Sequence, residues 1–195
     1  MKKNIKSYKS LILLFVFAAS CGLKTNTLPN GHTKIAANKK VYASKAKFDT
    51  NLLKEIDTTV VYEQYLDRYF MGSGDQKVII KDVARKTTED NFKFYSVYKF
   101  YANGNFNVFT INRDEVLDKK MLDPNFTGSR GVFYKEGNEI KADLITRVTG
   151  MGRIGVVQET FIFKGDTLIV NSSRGNNKYV KMKLPSNFPL YKADW

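Results

Sequence analysis

The chain has 195 residues, and its 32 Lys+Arg stand against 19 Asp+Glu, which gives a formal net charge of +13. This length suits a single domain with a hydrophobic core of adequate size. Hydrophobic residues at 43% and aromatic residues at 13% exclude a disordered or collagen-like chain. One Cys and one His exclude a disulfide framework and a zinc site built from several cysteines.

The positive charge lies mostly in the first quarter of the chain. Residues 1–20 contain four lysines and residues 22–47 contain six, and neither segment contains an acid. Residues 48–195 hold 22 basic and all 19 acidic side chains, and their net charge of +3 is ordinary for solubility. The charge therefore does not indicate a nucleic-acid-binding domain, and we expect no nucleic-acid partner.

The first twenty residues have the three parts of a secretory signal peptide. A basic stretch (1–9) precedes an apolar run (11–19, LILLFVFAA), and small residues follow up to Ser20 and Cys21. Nine apolar residues cannot cross a hydrocarbon core, which a helix spans with about 20 residues. We expect residues 1–20 to be removed by cleavage between Ser20 and Cys21.

The cleavage region also resembles a known motif. Residues 18–22, AASCG, place the cysteine directly after the apolar run and resemble the lipobox of bacterial lipoproteins. The resemblance implies that Cys21 carries a diacylglycerol on its thiol and an acylated amino group, so that its partner is membrane lipid. It also implies a protein anchored in the cell envelope. The absence of an acidic run after Cys21 favours an outer-membrane position facing the periplasm, with exposure at the cell surface as the alternative. The alternative is a non-lipidated signal peptide with a chance cysteine near the cut.

Residues 21–47 are predicted to form the lipidated cysteine and a flexible basic tether. They contain Pro29, the pair Asn30-Gly31 and six lysines, and their apolar residues follow no sustained period. A flexible coil of this length spans on the order of 30 Å. Its lysines are expected either to be solvated or to contact anionic lipid. The folded domain is expected over 48–195.

From residue 48 onward the sequence mostly alternates with a period of two, which is typical of half-buried strands. In 92–101 (FKFYSVYKFY) the even positions are mainly aromatic and the odd positions carry lysine and tyrosine. Asn103-Gly104, a strong hairpin signal, leads into a second strand over 105–111. Further strands are predicted over 58–65, 76–83, 130–135, 139–148, 154–163, 167–171 and 179–184, with a turn at 174–177.

Short helices are predicted only at 51–56 and 114–121. The second has acids at its start and lysines at its end, which matches the helix dipole. About eight short strands with regular turns predict an all-β fold, an antiparallel up-and-down barrel, because closure removes exposed sheet edges.

The order of these elements resembles the small lipocalin-like domains of Bacteroidetes-type lipoproteins. The likeness covers roughly 58–184 and lies in YKFYANGNFNVF, GVFYKEGNEIKADLI and FIFKGDTLIVNSS. It implies a ligand site in the interior or at the mouth of the barrel. Inward side chains either fill an eight-stranded barrel, which is just wide enough for them, or line a cavity. The candidate ligand-binding residues are Phe94, Tyr98, Phe100, Phe106, Tyr134 and Leu144.

The sequence contains no evident catalytic constellation. Residues 150–155 fit G-x-G-x-x-G but precede a strand, which predicts a hairpin loop rather than a dinucleotide site. Asp114, Glu115 and Asp118 lie beside lysines on a predicted surface helix, where solvation is expected. The one histidine, His32, lies in the predicted tether. We expect no cofactor and no metal site.

These observations lead to one main functional hypothesis. It is a non-enzymatic barrel, lipid-anchored in the cell envelope, that binds a small apolar molecule, a glycan or an envelope protein. One alternative is an envelope hydrolase, which would bring two carboxylates together in a cleft. The other is a purely structural or assembly lipoprotein, whose barrel interior would be fully packed.

Overall fold

The computed structural model describes residues 23–65, 94–112, 115–149 and 152–195. Eight antiparallel strands form a closed barrel, in which each strand pairs with its neighbours in sequence and the last strand pairs with the first. The prediction of an all-β, antiparallel up-and-down barrel of about eight strands is confirmed. The predicted signal peptide (1–20), Cys21 and the predicted strand 76–83 lie outside the described residues.

A small hairpin precedes the barrel, and three short 3₁₀ helices complete the described elements. The hairpin consists of β1 (Thr25–Thr27) and β2 (Lys34–Ala36). The barrel strands are β3 (Val61–Tyr65), β4 (Phe94–Phe100), β5 (Asn105–Asn112), β6 (Ser129–Glu136), β7 (Glu139–Arg147), β8 (Ile154–Lys164), β9 (Thr167–Ser172) and β10 (Gly175–Met182). The 3₁₀ helices are Lys39–Lys47, Thr50–Lys54 and Lys119–Leu122.

Aromatic rings fill the barrel interior towards one end. Phe100, which is fully buried, lies among them, and its ring centroid is 5.5 Å from that of Tyr62, 5.9 Å from Phe106, 5.5 Å from Phe133 and 5.4 Å from Phe161. Most of these pairs meet edge to face, an arrangement that the ring quadrupole favours. This half of the interior is therefore packed with side chains.

The segment before β3 closes the same end. Leu52 on the second 3₁₀ helix, together with Ile56 and Val60, packs into the interior cluster. The buried Lys99 on the outer face of β4 holds this segment, because its Nζ donates to the carbonyl oxygens of Thr58 at 2.7 Å and Val60 at 3.1 Å. Burial lowers the pKa of Lys99 to about 8.

Small polar side chains occupy the inward-facing positions at the opposite, open end. The period-two alternation of the strands places these side chains in the same inward-facing rows as the buried interior residues. All of them are half-buried, unlike the aromatic residues below them. They are Gln64, Ser96, Ser129, Thr146, Ser172 and Asn177.

Residues 23–47 are folded, whereas the sequence predicted a flexible tether. Tyr42 is buried with Ile145 and Trp195 against the outside of the barrel. Lys45 Nζ donates to the main-chain oxygen of Trp195 at 2.9 Å, and Asn30 Nδ2 donates to Thr127 Oγ1 at 2.9 Å. The anchoring residues are few and widely spaced, so they form no period in the sequence, and the surface that receives them comes from distant strands.

Two smaller elements also differ from the sequence predictions. Asn176 and Asn177 belong to β10, and the turn before it contains only Ser173 and Arg174. The predicted helix 114–121 is a 3₁₀ helix over Lys119–Leu122, because the side chain of Asp118 caps the main-chain N–H of Lys120. Such a cap favours helix initiation at that point rather than earlier.

We predict that Gly131→Ala destabilises the barrel. A Cβ at this position would lie 2.3 Å from the ring of Phe106 and 2.9 Å from the main-chain oxygen of Asp143. Overpacking of a filled interior should lower the free energy of unfolding by about 2–3 kcal/mol, measured by urea denaturation.

Gly155→Ala is the matched control. Its Cβ would lie 3.0 Å from a side-chain carbon of Val148, which is 40% exposed and can move. Gly155→Ala should lower the free energy of unfolding by less than about 1 kcal/mol. Equal losses in the two variants would contradict close packing of Phe106 against Gly131.

Candidate functional site

One acidic side chain points into the barrel. Glu159 on β8 lies in the inward row with Val157 and Phe161, and it is only 6% exposed. An ionised carboxylate is strongly disfavoured in such surroundings unless donors or a counter-charge compensate it. Glu159 is therefore the residue around which we describe the site.

A tyrosine is the hydrogen-bond donor to this carboxylate. The hydroxyl of Tyr98 lies 3.1 Å from both Oε1 and Oε2 of Glu159. Its ring packs against that of Tyr179, with the centroids 4.7 Å apart, and the two hydroxyls interact. Because each hydroxyl has one proton, Tyr179 can donate to Tyr98 while Tyr98 donates to Glu159.

The environment shifts the acid–base behaviour of all three residues. Burial raises the pKa of Glu159 to about 7, while the hydrogen bond from Tyr98 and the charge of Arg174 act in the opposite direction. Burial, together with the nearby Glu159, also raises the pKa values of Tyr98 and Tyr179. Glu159 thus changes charge near neutral pH, whereas the tyrosines remain neutral donors there.

A cleft opens at the rim of the barrel beside this acid. Its volume is about 830 Å³, a size that accommodates a small molecule. Its walls combine aliphatic and polar side chains, namely Val148, Val156, Val157, Gln158, Ser173 and Arg174. Arg174 is held at the rim by a hydrogen bond from its guanidinium to the main-chain oxygen of Arg147.

Strand register brings the cleft and the acid together. Glu159 pairs with Ser172 across β8 and β9, and the next two residues, Ser173 and Arg174, line the cleft. Val157, the neighbouring inward residue on β8, also lines it. The carboxylate therefore lies one inward position, about 7 Å along the strand, below the cleft.

The structure distributes five of the six candidate ligand-binding residues over three environments. Tyr98 contacts Glu159, and Leu144 lies in the same interior cluster. Phe100 and Phe106 are fully buried in the packed half, and Phe94 is 59% exposed at the open end of β4. Of the candidates, Tyr98 is the one with a hydrogen bond to Glu159.

Tyr134 lies outside the barrel, in contrast to the sequence prediction. Its neighbour Phe133 points inward, so the alternation of β6 turns Tyr134 outward. There its hydroxyl is 3.4 Å from Oδ1 of the buried Asp143, and the hydroxyl of Ser44 on the first 3₁₀ helix donates to the other oxygen of that carboxylate. Tyr134 thus helps to hold the N-terminal segment.

Among the residues that the structure describes, the paired acids that a hydrolase would use do not meet at this site. Among the described inward-facing strand positions Glu159 is the only acid, and Asp143 lies on the outer face of the barrel wall. In the predicted surface cluster, Glu115 accepts from Asn112 and Asp118 caps a 3₁₀ helix, while Asp114 lies outside the described residues. These acids have local structural partners.

Glu159 is the residue that sequence reasoning missed. Within VQETFIF the inward row reads Val157, Glu159, Phe161, and an acid flanked on its own face by apolar residues was the available signal. Alternation identifies such an acid as inward-facing. The partners Tyr98 and Tyr179 come from strands far away in the sequence, so their meeting could not be predicted.

Two further observations concern metal ions and membranes. In the part of the chain that the structure describes, no group of three or more His, Cys, Asp or Glu residues could hold a metal ion. Within the same ranges no helix combines the length and apolar character needed to cross a bilayer.

We predict that Glu159 makes the stability of the barrel depend on pH. Its pKa is raised from 4.5 in the unfolded chain to about 7, so the folded state binds the proton more tightly. The resulting stabilisation is fully present below pH 4.5 and is lost as the pH rises through 7, by about 3 kcal/mol in total. Urea denaturation between pH 4.5 and 8 measures this loss.

Glu159→Gln cannot titrate and should lack this component, so the variant should become more stable relative to the unaltered protein as the pH rises. Glu139→Gln, which changes an exposed acid, should retain the pH dependence of stability that arises from Glu159. Parallel pH profiles for the unaltered protein and Glu159→Gln would contradict the burial of this carboxylate.

A scan against protein-family models, a search of curated proteins and a search of solved structures each found no match to this chain.

Proposed function

We propose that this protein is a lipid-anchored lipoprotein of the cell envelope whose barrel binds a small ligand at its open end. The observation that carries the binding role is the buried Glu159 beside a cleft, at the end of the barrel opposite the packed one. A protein with only a structural role gains nothing from this placement, because burying an acid costs stability. Ligand sites commonly combine apolar walls with a few placed polar groups.

The proposed anchor would hold the barrel close to the membrane. Leu23 already packs against the outer cluster that contains Tyr42, and it follows Cys21 by two residues. Two residues span at most about 7 Å. An acylated Cys21 would therefore hold the folded unit directly at the lipid surface rather than on a long tether.

The lysines of the N-terminal segment support such a position. Lys24, Lys34 and Lys40 are exposed on a folded segment that contains no acid. Each lysine near an anionic lipid surface contributes about 1 kcal/mol. We infer that this side of the molecule faces the membrane.

We favour binding over the hydrolase alternative because of the acids in the interior. Glycoside hydrolysis uses two carboxyl groups on either side of the bond that is cut. The described interior offers Glu159 alone, with tyrosines as its neighbours. This arrangement supports recognition of a ligand group by one acid.

We predict that Cys21→Ser abolishes lipid anchoring. The serine hydroxyl cannot replace the thiol in lipid attachment, so the variant should lose palmitate labelling and leave the membrane fraction. Ser20→Ala keeps a small residue before the cysteine and should remain labelled and membrane-bound. Unchanged labelling and fractionation of Cys21→Ser would contradict the anchor.

We predict that Val157→Trp blocks ligand binding at the open end, because Val157 both lines the cleft and covers the acid. Ligand-observed NMR with mixtures of small polyols, amines and carboxylic acids should show binding to the unaltered protein and none to the variant. Ile162→Trp on the outer face of the same strand, at a 37% exposed position, is the control and should bind normally. No binding by the unaltered protein, or equal binding by both variants, would contradict the proposed site.

A further inference from the structure

We propose that Glu159 is the subsite for the head group of an aliphatic primary ammonium ion, whose hydrocarbon part lies in the adjacent cleft. This inference deepens the proposed binding function and rests on it. It names the chemical class of the ligand, which the proposed function leaves open.

The first argument is the unused acceptor capacity of the carboxylate. An ionised carboxylate has about four lone-pair positions. Among the described residues, the one side-chain hydroxyl within hydrogen-bond distance of Glu159 is that of Tyr98, which supplies a single proton to two oxygens. The described side chains therefore offer this carboxylate fewer donors than it has acceptor positions, and a primary ammonium supplies three together with the compensating charge.

The second argument is the chemistry of the path from the rim to the acid. Three of the six residues that line the cleft are valines, and one of them, Val157, is the next inward residue to Glu159 on β8. The inward position of Glu159 lies about 7 Å along the strand from that of Val157, which also lines the cleft. A ligand with a charged head group and a short alkyl chain fits this arrangement, because the chain contacts the valines while the head group reaches the acid.

The third argument concerns the charges around the site. Within the described ranges, the titratable and charged groups that act on Glu159 are Tyr98 from β4, Tyr179 from β10 and Arg174 from the β9–β10 turn. The tyrosines are neutral below their raised pKa values, so they leave the negative charge uncompensated. Arg174 lines the rim, and its guanidinium is engaged with the main-chain oxygen of Arg147. Its charge remains in place in this hydrogen bond and compensates Glu159 only in part, because burial still raises the pKa of the acid to about 7.

Binding of n-pentylamine to the purified protein tests this proposal, with 1-pentanol and pentanoate as neutral and anionic probes of matched length. Titration by ligand-observed NMR at pH 8 should show pentylamine binding at least about tenfold more tightly than either analogue, as expected for a hydrogen-bonded charge. Lowering the pH to 5 protonates the acid, whose pKa is about 7, while the amine stays charged. The affinity for pentylamine should then fall by about 90-fold.

Three variants distinguish the contribution of Glu159 to pentylamine binding from that of other charged groups. Glu159→Gln should bind pentylamine at least about tenfold more weakly and lose the pH dependence. Arg174→Ala should bind it up to about fivefold more tightly, because a repelling charge is removed. Glu139→Gln, which changes an exposed acid at the closed end, should behave like the unaltered protein.

Each other outcome overturns the proposal in a recognisable way. Preferred binding of 1-pentanol, or weaker pentylamine binding in Arg174→Ala, would leave the binding role in place and exclude an ammonium subsite. Pentylamine binding that Glu159→Gln does not change would exclude this acid as the subsite. Failure of every probe, amines included, would overturn the ammonium subsite together with the proposed binding role.

Discussion

The pairing of β10 with β3 is the constraint on which the rest of the structure depends. It closes the sheet, so that every second side chain along eight strands points into a single enclosed space. That space has the width of packed side chains, and large aromatic residues such as Phe100 fill its closed end. Inward positions near the closed end are therefore packed, whereas those towards the open end are half-buried or exposed.

This constraint explains why Glu159 is a buried, titratable group in the barrel interior. On an open, solvated sheet face, Glu159 would behave as an ordinary surface acid. Inside the closed barrel it is surrounded by Tyr98, Tyr179 and aliphatic side chains, and burial raises its pKa to about 7. The same closure brings the β9–β10 turn over the acid and thereby places the cleft beside it.

The outer face of the barrel shows how the ends of the described chain are used. Tyr42 from the N-terminal segment and Trp195 pack together over β6 and β7, and the indole of Trp195 donates to the main-chain oxygen of Gly131 at 3.0 Å. Phe188 packs over a second outer cluster formed by β3, β4 and β5. Segments that look like linkers in the sequence thus cover apolar strand surface, which would otherwise be exposed.

The sequence by itself determined the strand alternation, the hairpin at Asn103-Gly104 and, through them, the barrel, because these depend on neighbours within a few residues. It also contained the pattern at Ser20 and Cys21 from which lipid anchoring is proposed. The tertiary structure alone decided that residues 23–47 are folded and that Tyr98 and Tyr179 meet Glu159. Those contacts join strands far apart in the chain, and only the closed register of the barrel specifies which of them come together.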